Sequence, residues 1–126
     1  MSALNDIKSI LTTLAADEDV PMGAVYYGMC PETSLDTWNY FVFNRTQTEK
    51  ASNRVDWQTH YSVSIIHEDY IPEGYVETVK DALEAGGFRW KAEAVTYNYT
   101  LKGSTSVVVE IATINLVLPE KRGGDT

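Results

Sequence analysis

The apolar residues of this chain keep two different spacings, and the changes from one to the other fix the order of its elements. Ala3, Leu4, Ile7, Ile10, Leu11 and Leu14 recur every three or four positions, with Asn5, Asp6, Lys8 and Ser9 between them. That spacing predicts an amphipathic helix over residues 2–16, with Ser2 as N-cap and Asp6 favourably placed in the first turn. Asp17, Glu18 and Asp19 break the pattern, and Pro21 prevents its renewal. From residue 24 the period falls to two. Residues 24–27 read as a short strand closed by Gly28 and Pro31, and residues 37–44 as a strong one, dense in aromatic and β-branched side chains. Trp38, Tyr40 and Val42 lie on one side of it and Phe41 and Phe43 on the other, so both faces are apolar. Residues 55–68 form the next strand, with Trp57, Tyr61, Val63 and Ile65 on one face and Gln58, His60, Ser62 and Ser64 on the other. Pro72 opens a second helix with Val76, Val79, Ala82 and Leu83 as its inner stripe, and Gly86-Gly87 ends it. Strands over 89–100 and 105–118 follow.

The order α-β-β-β-α-β-β predicts an α+β domain over residues 1–119, a mainly antiparallel (mixed) sheet of about five strands with two helices packed on it. Residues 120–126 are expected to be a flexible tail. A chain of 126 residues fits a single domain that buries roughly 67% of its unfolded surface, enough for a core without disulfides. Cys30 is the only cysteine, which excludes an intrachain disulfide and a multi-cysteine zinc site. No apolar run reaches the ~18–20 residues that span a bilayer. The amino terminus lacks a basic stretch followed by an apolar one, so synthesis in the cytoplasm without export is expected.

Between the second and third strands, residues 45–54 contain no large apolar side chain. Hairpin loops usually run two to five residues, so this stretch predicts a long polar loop with a contact role, carried by Arg45, Gln47, Glu49, Lys50, Asn53 and Arg54. The net charge of −8 lowers the expectation of nucleic-acid binding by phosphate contacts. Acid concentrates at Glu68, Asp69, Glu73, Glu77, Asp81 and Glu84, whereas residues 44–56 are slightly basic. Opposite patches of this kind either sit in solvent or set the register between copies.

The last hairpin carries a register argument. A two-residue loop at Lys102-Gly103 would set Tyr97 opposite Val108 and Tyr99 opposite Ser106 and split the apolar residues between faces. A three-residue loop, residues 101–103, sets Tyr97 opposite Val107 and Val95 opposite Val109, with Gly103 in the left-handed position. This second register is the one predicted. It leaves Val108, Glu110, Ala112, Ile114 and Leu116 on the other face. Two helices cover one side of such a sheet, so Val108, Ala112, Ile114 and Leu116 are expected to form a subunit interface. The alternative is that the 45–54 loop or the first helix covers them.

Signals for catalysis are weak. His60 and His67 have opposite strand parity and so face apart, which makes them poor joint metal ligands. Cys30 precedes Pro31 in a turn with no catalytic context, and no phosphate-binding, HExxH or GxSxG signature occurs. The expectation is a protein that is not an enzyme and uses no cofactor or metal.

Residues 60–72 (HYSVSIIHEDYIP), the acidic helix ending in Ala85-Gly86-Gly87, and Tyr97-Asn98-Tyr99 followed by residues 107–110 and Ile114-Asn115-Leu116 resemble the tail terminator (tail-to-head joining) proteins of long-tailed phages of Gram-positive bacteria. The element order is similar as well, and the resemblance covers nearly the whole chain. It implies a virion protein of the tail and neck. Copies would form a ring, usually of six, capping the tail tube and meeting the head connector or stopper protein while DNA passes through the lumen. The 45–54 loop would reach tube or connector, and the acidic residues would line the lumen or lie outside. Two alternatives stay open: another neck component, such as a head-completion or stopper protein, and an α+β enzyme or small-ligand module with a pocket near His67, Glu68 and Tyr70.

Overall fold

In the computed structural model, which describes residues 3–30, 37–50, 57–90 and 95–120, the elements are α1 (Ala3–Ala15), β1 (Val25–Tyr27), β2 (Tyr40–Lys50), β3 (Trp57–Glu68), α2 (Tyr75–Ala85), β4 (Arg89–Trp90), β5 (Thr96–Leu101) and β6 (Val108–Glu120). β1 runs parallel to β2, and every other pairing is antiparallel: β2 with β3, β3 with β6, and β6 with both β4 and β5. β4 and β5 follow one another along the same edge of β6, so the mixed sheet is five strands wide. The fold is the α+β one read from the sequence, with two helices, except that the single strand expected over 89–100 is described as two, β4 and β5.

Strand parity decides which side chains meet the helices. Phe41, Ile65 and Ala112 lie in one row across the sheet, Phe43, Val63 and Ile114 in the next, and Tyr61 and Leu116 in a third. These residues form one buried cluster with Ile7 and Leu11 of α1 and Tyr75, Val79 and Leu83 of α2. The Phe41 and Tyr75 rings stack at 6.3 Å, and Tyr61 meets Phe88 edge-on at 5.8 Å. Phe88 is placed by the end of α2: its N–H donates to Leu83 O and the Gly87 N–H to Glu84 O, while Gly87 takes φ 101°. That pair of bonds is a Schellman closure, with Leu83 and Phe88 supplying its apolar contact.

Three of the four residues expected at a subunit interface belong to the core. Ala112, Ile114 and Leu116 are 0% exposed, covered by the helices of their own chain, and Val108 alone of the four is exposed. The error lies in the hairpin register. Tyr97 pairs with Ala112 and Leu101 with Val108, not Tyr97 with Val107. A bond from Lys102 N–H to Val107 O leaves residues 103–106 as the loop, and Thr105 holds it: its N–H and hydroxyl both donate to Lys102 O, at 3.0 and 2.6 Å, and its oxygen accepts from Val107 N–H. Side-chain bonds of this kind compete with a tighter turn.

The second face is also less apolar than expected. Asn44, Ser62 and Asn115 share one row and Val42, Ser64 and Thr113 the next, with Ser64 and Thr113 hydroxyls 3.3 Å apart. Apolar residues collect toward one end, at Tyr40, Ile66, Val109 and Ile111, where Ile66 and Val109 are buried, while Val117 stands beside His60 toward the other.

Tyr75 yields a test of the packing. Its ring is buried, and its hydroxyl has no hydrogen-bond partner among the described residues. Burial, and then the charge of Asp17, push the hydroxyl up to about 12. The fold accommodates only the neutral form, so this contribution to stability is whole below 10.0 and is lost as pH climbs from there to about 12. Tyr75→Phe removes an unbonded polar atom and keeps the ring. Urea unfolding should find it at least as stable as the parent at neutral pH, with a smaller alkaline loss. A loss of more than ~1 kcal/mol at neutral pH would mean that the hydroxyl is bonded.

Candidate functional site

The stretch expected to be a loop is mostly strand. Arg45, Gln47, Glu49 and Lys50 belong to β2, paired with residues 57–61 across a bulge between Arg45 and Gln47. Asn53 and Arg54 lie outside the described residues. Polar residues can occupy strands when neighbouring pairs support them and no core covers them. Here the Thr48 and Thr59 hydroxyls meet at 3.1 Å, and Gln47 Nε2 donates to Glu49 Oε1 at 3.1 Å. Glu49 Oε2 lies 3.0 Å from His60 Nε2, and the buried Nδ1 of His60 has no partner among the described residues. At the base of this arm Arg45 Nε donates to the Tyr27 hydroxyl. Residues 45–50 are all exposed, so they form an arm braced by β3.

The acidic residues divide into two groups. Glu73, Glu77, Asp81 and Glu84 are exposed at intervals of four, four and three, a single stripe along α2 and its leading turn. Glu68 belongs to the framework. Its Oε2 receives Lys102 Nζ at 2.9 Å and the Trp38 N–H at 2.7 Å, while its own N–H donates to Asn39 Oδ1. Asp69 turns the chain there with φ 67°, and its N–H donates to Val108 O.

The Lys102 ammonium, helped by the Trp38 N–H, holds the Glu68 carboxyl below its ordinary value of 4.5. The stability it adds is present above 4.5 and is lost as pH falls below that. Melting curves should place Glu68→Gln below the parent at neutral pH, by about 1 kcal/mol for a partly exposed pair. The gap should close in acid. A gap independent of pH would show that the carboxylate charge is not involved.

Two open grooves flank the start of α2. The larger, about 720 Å³, lies between α2 and β5 and is lined by Tyr70, Ile71, Val76, Glu77, Tyr97, Tyr99 and Glu110 among others. Glu110 organises it: Oε1 accepts the Ile71 N–H and Oε2 the Tyr99 hydroxyl, both at 2.8 Å. That bond keeps the Tyr99 proton on above its ordinary range. The second groove, about 670 Å³, is lined by His67, Glu68, Asp69, Tyr70, Pro72 and Glu73. His67 and His60 lie on opposite faces of β3. Among the described residues no three His, Cys, Asp or Glu side chains are grouped to hold a metal ion, and no helix is long and apolar enough to cross a membrane.

The tyrosine groove was not anticipated. The signal was present in β5 itself, Thr-Tyr-Asn-Tyr-Thr-Leu, an uncharged strand whose tyrosines could not be placed with the register misread. Compared with protein-family models and with curated proteins, the chain matches none.

Proposed function

We propose that this chain is a structural assembly protein, a phage tail terminator: its copies close into a ring of six on the finished tail tube and offer a surface to the head connector or stopper protein. DNA passes through the ring without sequence-specific contact, and the protein resides in the virion after synthesis in the host cytoplasm. The observation that carries the reading is the arm: residues 45–50 are exposed throughout, yet held as strand by β3, a contact element built before its partner arrives. The element order supports it, as does a sheet with helices on one face only. An acidic stripe along α2 suits a lumen wall that phosphate slides past, or an outer surface.

Another neck component would share these features. The groove at His67, Glu68 and Tyr70 favours a small-ligand module as the second reading, although its carboxylate is already committed to Lys102. In vitro joining separates them. Heads and terminator-free tails should join only when the protein is added, and Arg45→Glu with Lys50→Glu should reduce joining while the chain still folds cooperatively. Joining that proceeds equally well without the protein would dismiss the terminator role.

A further inference from the structure

The exposed large apolar side chains are not scattered. Tyr70, Tyr97, Tyr99, Leu101 and Val108 surround β5, and Tyr27 and Met29 lie at β1. β1 is one outer edge of the sheet and β5, with the two-residue β4 beyond it, makes the other; neither β1 nor β5 is paired on its far side among the described residues. An edge left open normally carries a charge, a proline or a cover that blocks further pairing. β5 has none: its six residues are all exposed and uncharged, and five are tyrosine, threonine or leucine.

We infer that copies of this chain join edge to edge, β5 of one against β1 of the next, so that the sheet continues from copy to copy. The inference rests on the ring reading and supplies its subunit contact. Strand direction fits. β1 runs with β2, β3 opposes it, β6 opposes β3 and β5 opposes β6, so β1 and β5 run in opposite senses. A head-to-tail repeat with strands aligned therefore makes the new pairing antiparallel, the more favourable ladder. The layers also match. Tyr27 and Arg45 share the helix-covered side with Phe43 and Tyr61, while Tyr97 and Tyr99 share it with Ala112 and Glu110.

Charge selects this pairing over its rival. Beside β5 stand Glu73, Glu77 and Glu110 with Lys80, and beside β1 stands Arg45, bonded to Tyr27. Joining β5 to β1 brings the guanidinium toward the acids, whereas two β5 edges joined to each other would bring two acidic grooves together. The β5–β1 contact is heterologous, the kind that closes into rings.

Hydrogen exchange read by mass spectrometry tests this on the full chain, dilute, concentrated and bound to tail tubes. In the associated protein the amides of 25–29 and of 96–101 should both slow by about tenfold or more, relative to the dilute monomer. Thr96→Lys with Asn98→Lys, two exposed changes on the β5 edge, should weaken association while leaving the melting curve in place. Association with protection of β5 alone, or of neither segment, overturns the edge pairing and leaves the ring standing. A chain that stays monomeric at every concentration and on tubes overturns both.

Discussion

Ile114→Lys should abolish the folded monomer. Ile114 lies in the middle of β6, 0% exposed, in a row with Phe43 and Val63 and beneath both helices. A lysine there must bury an ammonium without a partner, lose its proton, or force the sheet away from the helices. Each route costs several kcal/mol. A domain of this size has about 5–15 kcal/mol in all, so one such cost consumes most of its stability. Circular dichroism should find no cooperative transition at room temperature. A folded variant that had lost only self-association would restore Ile114 to a surface and undo the one-sided core.

Phe41→Ala should be the most damaging simple truncation. Phe41 is fully buried, pairs with Val25 and Ile65, and stacks on Tyr75 of α2. It therefore touches both the parallel edge and the helical layer. Removing an aromatic ring from such a site costs about 3–5 kcal/mol, from lost burial and from the cavity left behind. Chemical unfolding should give a loss in that range with the slope unchanged. A loss under ~1 kcal/mol would mean that α2 collapses onto the sheet or never packed there.

Much of this architecture was legible in the residues, for reasons that differ from element to element. α1, expected over residues 2–16, spans Ala3–Ala15, because six apolar positions keep one helical face and Pro21 closes the segment. The parity of β3 was legible too, since Tyr61, Val63 and Ile65 alternate with His60, Ser62 and Ser64, and the first set is core. Failures came where pairing, not composition, decides. Residues 45–50 look like a loop by themselves and are strand because β3 lies beside them. At the last hairpin both faces of β6 carry enough aliphatic residues for either register to look satisfied. The loop is the longer 103–106, held by Thr105 bonds inside the turn that a comparison of two- and three-residue loops leaves out.

The same error hid the tyrosine groove and misassigned the interface. With Tyr97 opposite Val107 the tyrosines stand apart from Ala112 and Ile114, and the buried row of β6 looks bare. With Tyr97 opposite Ala112 that row falls under the helices, and the exposed apolar area moves outward to β5. The case for association between copies therefore rests on the edges of the sheet and no longer on its face.

Electron microscopy of purified tail tubes incubated with the protein tests the central proposal most directly. The account predicts an annular cap at one end of each tube, with the mass of about six copies of 14.1 kDa and continuous sheet density between neighbours. Bare tube ends, with the protein remaining free as a monomer, would contradict it.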